Sequence, residues 1–113
     1  MTTATSTTPV EAEQRDQELA LLAKALGHPA RVQILRLLLA RDACFCGELV
    51  DELPLAQATV SQHLKVLTDT GLIAVKNEGT RSCYCAGRDR LSELHELLSG
   101  LLADAVGSDG HGC

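Results

Sequence analysis

Five stretches of this chain space their apolar residues like helices, and short alternating runs separate them. From Val10 to Leu26, the residues Leu19, Leu22, Ala23 and Leu26 recur at three- and four-residue steps, the period that gathers side chains on one helix face. Gly27 stops that helix, and Pro29 suits the first turn of the next, where a missing N–H costs nothing. Val32, Ile34, Leu35, Leu37, Leu38 and Leu39 then make the second helix apolar on more than one side, which marks it as the central core helix. Ala43 to Cys46 is a candidate short strand, and Gly47 to Leu53 a short helix with Leu49, Val50 and Leu53 inward, ended by Pro54.

Gln57 to Thr70 carries Val60, Leu64 and Leu67 on one face, with Gln57, Ser61, Gln62 and Lys65 largely off it, and Gly71 closes it. Leu72 to Lys76 is apolar and β-branched, Asn77 to Thr80 has turn chemistry and Arg81 to Cys85 alternates, so this block predicts a β-hairpin. Leu91, Leu94, Leu97, Leu98, Leu101, Leu102 and Val106 predict a closing amphipathic helix. The resulting architecture is mainly α: a winged helix-turn-helix with five helices and a β-hairpin wing. Its expected bounds are a disordered tail over 1–13, one domain over 14–106 and a flexible Gly-rich tail over 107–113.

Composition narrows the class. Aromatic residues make up only 2% of the chain, so burial must come from aliphatic helix faces. The first residues have no basic stretch leading into an apolar run, and no leucine-rich segment is free of charge over the ~20 residues a bilayer span needs. A soluble, cytoplasmic protein with no membrane partner is expected, with its five cysteines held as thiols. The net charge of -5 argues against indiscriminate coating of nucleic acid, but it hides an asymmetry. Between Gln57 and Arg90, the bases Lys65, Lys76, Arg81, Arg88 and Arg90 outnumber the acids Asp69, Glu78 and Asp89.

That asymmetry falls where a winged helix-turn-helix meets DNA. Gln57, Thr59, Ser61, Gln62 and His63 could donate and accept at base edges in the major groove, while Lys65 meets a phosphate. Lys76 and Arg81 flank the wing turn, placed for phosphate or minor-groove contacts. His28, just before Pro29, reads as structural. No catalytic triad and no Gly-rich phosphate loop can be read, so an enzyme is not expected.

The run ATVSQHLKVLTDTGLI, with LGHPARVQILRLL upstream and the wing after it, resembles the ArsR/SmtB family of dimeric bacterial repressors that metals or metalloids release from DNA. The resemblance spans roughly Leu19 to Leu102. It implies a homodimer built on the first and last helices, through Leu19, Leu22, Leu91, Leu94, Leu98 and Leu101, with two reading helices over an inverted repeat in double-stranded operator DNA. One departure is that Ala56 precedes Gln57 where family reading helices often carry a Ser-like cap, a loss of about 1 kcal/mol.

Two cysteine triplets carry the remaining chemistry: Cys44-Phe45-Cys46 and Cys83-Tyr84-Cys85. In a winged helix, the strand ahead of the helix-turn-helix pairs with the returning wing strand. Alternate residues share a face, so four thiols could meet on one patch of sheet. Cross-strand neighbours lie about 5 Å apart at Cβ, within reach of one ion at metal–sulfur distances near ~2.3 Å. Soft thiolates select trivalent arsenic or antimony, As(III) or Sb(III), with zinc, cadmium or lead as further candidates. The plainer alternative is that all are small buried hydrophobes. Cys44 and Cys46 resemble the pair that arsenic-responsive family members carry, but Leu49 and Val50 stand where a further cysteine is often found. A third ligand is then expected from Cys83 or Cys85, with Cys113 passive. Two other readings stay open: a redox sensor that joins these cysteines as a disulfide or persulfide, and a protein-interaction module with structural zinc.

Overall fold

The first helix starts on a reciprocal cap. Thr8 accepts from the Glu11 N–H at 3.1 Å, Glu11 accepts from the Thr8 N–H at 3.2 Å, and Pro9 occupies the first turn. In the computed structural model, which describes residues 8–41, 44–47 and 49–107, this helix α1 spans Pro9–Ala25, beginning ahead of residue 14. The tail at 1–7, Ala43, Cys113 and the segment from 108 on lie outside the described residues.

α2 spans Pro29–Leu39, and His28 caps it by accepting from the Ala30 N–H at 3.1 Å. Its buried face is Ala30, Ile34, Leu35 and Leu38, but the central place expected for it falls to the helix at Gln57–Thr70, which packs against α1, α2 and the first wing strand. The next segment departs from expectation. Where a short α-helix over Gly47 to Leu53 was expected, Leu49–Glu52 is a single 3-10 turn, so the fold has four α-helices among the described residues, not five. A segment this short, between Gly47 and Pro54, cannot recover the cost of nucleating an α-helix, and a 3-10 turn suffices to bury Leu49.

α3 spans Gln57–Thr70 and starts at Ala56 without a side-chain cap. It ends at a left-handed Gly71 (φ 83°), with Gly71 N–H donating to Thr68 O at 3.1 Å and Leu72 N–H to Leu67 O at 3.0 Å. Those paired bonds satisfy the last carbonyls and turn the chain into β1, Ile73–Glu78. β1 pairs antiparallel with β2, Arg81–Ala86, in a register that sets Lys76 opposite Cys83 and Ala74 opposite Cys85. Gly79 takes φ 66° at the first position of the two-residue hairpin loop, where the mirror-image turns that suit strand twist need a glycine. α4, Arg88–Gly107, closes the chain.

The core is one aliphatic cluster whose most enclosed members are Leu22, Ile34, Leu67, Leu72 and Ile73. Arginines lock its rim. Arg31 donates to Lys24 O and Ala25 O at 3.3 Å each, and Arg88 to Leu39 O at 3.3 Å and Arg41 O at 3.4 Å, satisfying carbonyls at the ends of α1 and α2. Arg90 donates to Thr70 O at 2.8 Å and pairs with Glu93 at 2.8 Å and with Glu18, tying α4 to α3 and α1. No helix is long and apolar enough to cross a membrane among the described residues.

Candidate DNA-reading surface and thiol patch

α3 turns its Val60, Leu64 and Leu67 stripe to the core and leaves Gln57, Ser61, Gln62 and Lys65 exposed, with Thr59 half-buried. Between this helix and the wing runs a groove of about 360 Å³, lined by Gln57, Ser61, Thr80, Arg81, Ser82 and Tyr84 among others. Lys65 reaches Asp69 at 3.4 Å, an exposed pair weak enough to open for a phosphate. Lys76 is exposed on β1. Arg81 is exposed too, but its guanidinium donates to the Cys46 carbonyl at 2.6 Å, so it ties the wing to the segment before the helix-turn-helix.

His63 corrects the sequence reading. It is only 7% exposed, accepts at Nδ1 from Arg31 Nε at 3.2 Å, and sits 4.4 Å, centroid to centroid, from His28. Burial, the adjacent His28 and the Arg31 charge, in that order, lower its pKa from 6.5. It pins α3 to α2 and offers nothing to a base edge. The signal was available, because 63 falls three residues after Val60 and four before Leu67, on the core stripe.

The set read as dimer contacts divides. Leu22 and Leu94 are buried within the protomer, because α1 and α4 turn those faces toward the core, so neither is free for a partner. Leu98 and Leu101 are 49% and 56% exposed, while Leu19 and Leu91 are half-buried. A groove of about 850 Å³ between α1 and α4 includes Leu19, Leu97 and Leu101 in its walls.

The two cysteine triplets meet. Phe45 and Tyr84 exchange backbone hydrogen bonds at 2.8 and 2.9 Å, a single antiparallel bridge that adds a third chain segment to the hairpin. In antiparallel pairing the positions flanking such a bonded pair approach most closely. Cys44 accordingly faces Cys85 with Cα atoms 4.4 Å apart, and Cys46 faces Cys83 at 4.1 Å. The sulfurs of each pair are joined as a cross-strand disulfide. All four cysteines share one sheet face, Cys83 fully buried and the others half-buried. Phe45 and Tyr84 turn to the opposite face and pack on the core, where the Arg41 guanidinium lies 4.2 Å from the Phe45 ring centroid. A further residue, Glu78, joins the thiol face: a carboxylate oxygen and the sulfurs of Cys46 and Cys83 lie within 4.8 Å of one another.

A reading helix on a rigid helical core, with a hairpin beside it, defines a winged helix-turn-helix DNA-binding protein. A family model described as a helix-turn-helix domain matches residues 26–76. The chain is 37% identical over 92 residues to the HTH-type transcriptional regulator CmtR of Mycobacterium bovis, covering 80% of this chain and 77% of that one. It is 29% identical over 97 residues to the arsenical resistance operon repressor of Staphylococcus xylosus, covering 86% and 88%. The solution structure of the homodimeric winged helix-turn-helix DNA-binding domain of Mb0332 from Mycobacterium bovis, a possible ArsR-family regulator, superposes with a TM-score of 0.64 at 26% identity, covering 96% and 98%. The chain belongs to the ArsR/SmtB family of DNA-binding transcriptional repressors and is not an enzyme.

Proposed function

We propose that this chain is a cytoplasmic, homodimeric repressor that holds an inverted-repeat operator while its thiols are free and releases it when they capture trivalent arsenic or antimony. The observation that carries the reading is the facing of Cys44 with Cys85 and Cys46 with Cys83 on one sheet face. In the reduced protein, Cys44, Cys46 and Cys83 or Cys85 supply the three sulfurs. Arsenous acid and three thiols condense to three arsenic–sulfur bonds and three waters, with no change of oxidation state. Zinc, cadmium or lead would use the same soft donors. The similarity to an arsenical resistance operon repressor supports this choice of effector.

The route to DNA is short. Gly47, next to Cys46, and Leu49, three residues on, help to line the groove that also holds Gln57 and Ser61. Arg81 fastens the same segment to the wing. Drawing the thiols around one atom moves this segment against α3 and the wing together, and a coupling of about 1–3 kcal/mol lowers operator affinity by roughly 5- to 150-fold. Gln57, Thr59, Ser61 and Gln62 read bases, while Lys65, Lys76 and Arg81 serve the backbone. Leu19, Leu91, Leu98 and Leu101 supply the dimer face.

The test is Cys44→Ser in the full-length chain. DNA binding should persist and arsenite response should be lost; a variant that still responds fully refutes the site. A second reading has its own observation, the joined sulfurs. Each pair could give two electrons and two protons to a peroxide or a small disulfide, making the switch redox-driven. Release of DNA by such an oxidant in metal-free buffer would favour it.

A further inference from the structure

Glu78 ends β1, immediately before the wing turn, and its register partner across the hairpin is Arg81. Those two charges would be expected to pair. Arg81 instead reaches back to the Cys46 carbonyl at 2.6 Å, and among the described residues no hydrogen bond or ion pair engages the Glu78 carboxylate. The pairings Lys76 with Cys83 and Glu78 with Arg81 put all four side chains on the thiol face. There the carboxylate oxygen and the sulfurs of Cys46 and Cys83 all fall within 4.8 Å of one another. Around a tetrahedral zinc, bonds of about 2.0–2.2 Å to oxygen and 2.3 Å to sulfur set the donors roughly 3.4–3.8 Å apart. Cys46 and Cys83 are joined as a disulfide here, so this site forms only in the reduced protein, where the two sulfurs move apart and the nearby carboxylate can join them.

We propose that Glu78 joins Cys46 and Cys83 in a site for a divalent thiophilic cation, zinc or cadmium, and that this carboxylate separates divalent ions from trivalent arsenic. The inference rests on the thiol-sensing reading above and adds to it a residue that decides the class of effector. Arsenic(III) satisfies its three bonds with thiolates and has no use for a carboxylate, whereas a divalent cation takes mixed sulfur and oxygen donors. Two thiols lose their protons on binding. Two thiolates and a carboxylate around a divalent ion leave one negative charge, which Lys76 and Arg81 offset from the same face. The fourth position falls to water. Because Glu78 adjoins the turn at Gly79 and Thr80, ligation would anchor the wing tip to the segment ahead of the helix-turn-helix.

The test compares wild type with Glu78→Gln, as reduced full-length protein kept anaerobic. Cadmium binding is read by thiolate-to-metal charge-transfer absorbance in competition with a chelator, and arsenite binding in a parallel titration. Glu78 is exposed, so the variant should fold, which circular dichroism confirms. Losing a partner that merely orients a metal ligand costs about 10–100-fold in affinity, so losing a ligand should weaken cadmium at least about tenfold. Arsenite binding should be unchanged. Unaltered cadmium affinity, or equal weakening of both titrations, overturns the role of Glu78. Absence of thiolate bands with either probe in the wild type would instead overturn the thiol-sensing reading beneath it.

Discussion

Gly87, between β2 and α4, offers a sharp test of how the wing is seated. A Cβ built there falls inside contact distance of the Gly71 carbonyl oxygen and 3.1 Å from the carbonyl carbon and oxygen of Leu72. Both obstacles are backbone, and Gly71 is itself fixed in a left-handed turn by the bonds that close α3. Gly87→Ala must therefore push the start of α4 away from the end of α3. That strains the Gly87 N–H to Leu72 O bond of 2.8 Å. Overpacking costs about 1–3 kcal/mol and the buried pair left unmet about as much again, while stiffening the unfolded chain returns about 0.4–1 kcal/mol. The net is about 3 kcal/mol, or a fall in Tm of roughly 10–15 °C for a domain of this size. Gly79→Ala is the comparison, since its Cβ meets nothing within 4 Å and only the φ of 66° is penalised, at about 1–2 kcal/mol. The assay is urea unfolding of both variants at one protomer concentration, because the proposed dimer would add to stability. A Gly87→Ala protein within about 0.5 kcal/mol of wild type, against the roughly 3 kcal/mol worked above, would refute the close approach.

Two further outcomes follow from the same geometry. His63 titrates below 6.5 in the folded protein, so between that lowered value and 6.5 the unfolded chain binds more protons. Its contribution to stability is complete above pH 6.5 and is lost as pH falls through that window. Wild type should therefore lose more stability than His63→Asn between pH 7.5 and 5; parallel profiles in urea titrations would refute the buried neutral imidazole. On α4, Leu98→Glu with Leu101→Glu places charge on two leucines left 49% and 56% exposed. Each buried leucine is worth about 1.5–3 kcal/mol, so the dimer should weaken by more than roughly a hundredfold in sedimentation equilibrium, and an unchanged dimer would remove α4 from the interface.

Much of this was legible in the residues. Helical spacing located the four α-helices found among the described residues, and Gly71 marked the turn from α3 into the wing. The winged-helix order indicated that the segment after α2 lies beside β2, and the Phe45–Tyr84 bridge supplies the register, which the residues alone left open. What could not be read depends on tertiary neighbours. His63 looked like a base reader because its polarity outweighed its place on the core stripe, and only Arg31 and His28 explain how an imidazole is tolerated there. Leu22 and Leu94 share helices with the exposed leucines, and periodicity alone does not say which apolar side meets the core and which a partner. Glu78 lies 32 residues from Cys46, and it joins the thiols only through the pairing of three chain segments.

The central claim is that thiol capture releases DNA. Its most direct test is fluorescence anisotropy of the reduced, full-length protein on a labelled fragment of its own promoter, titrated anaerobically with arsenite. The account predicts tight, salt-dependent binding that collapses near one arsenite per protomer. Binding that stays intact through a large excess of arsenite would contradict it.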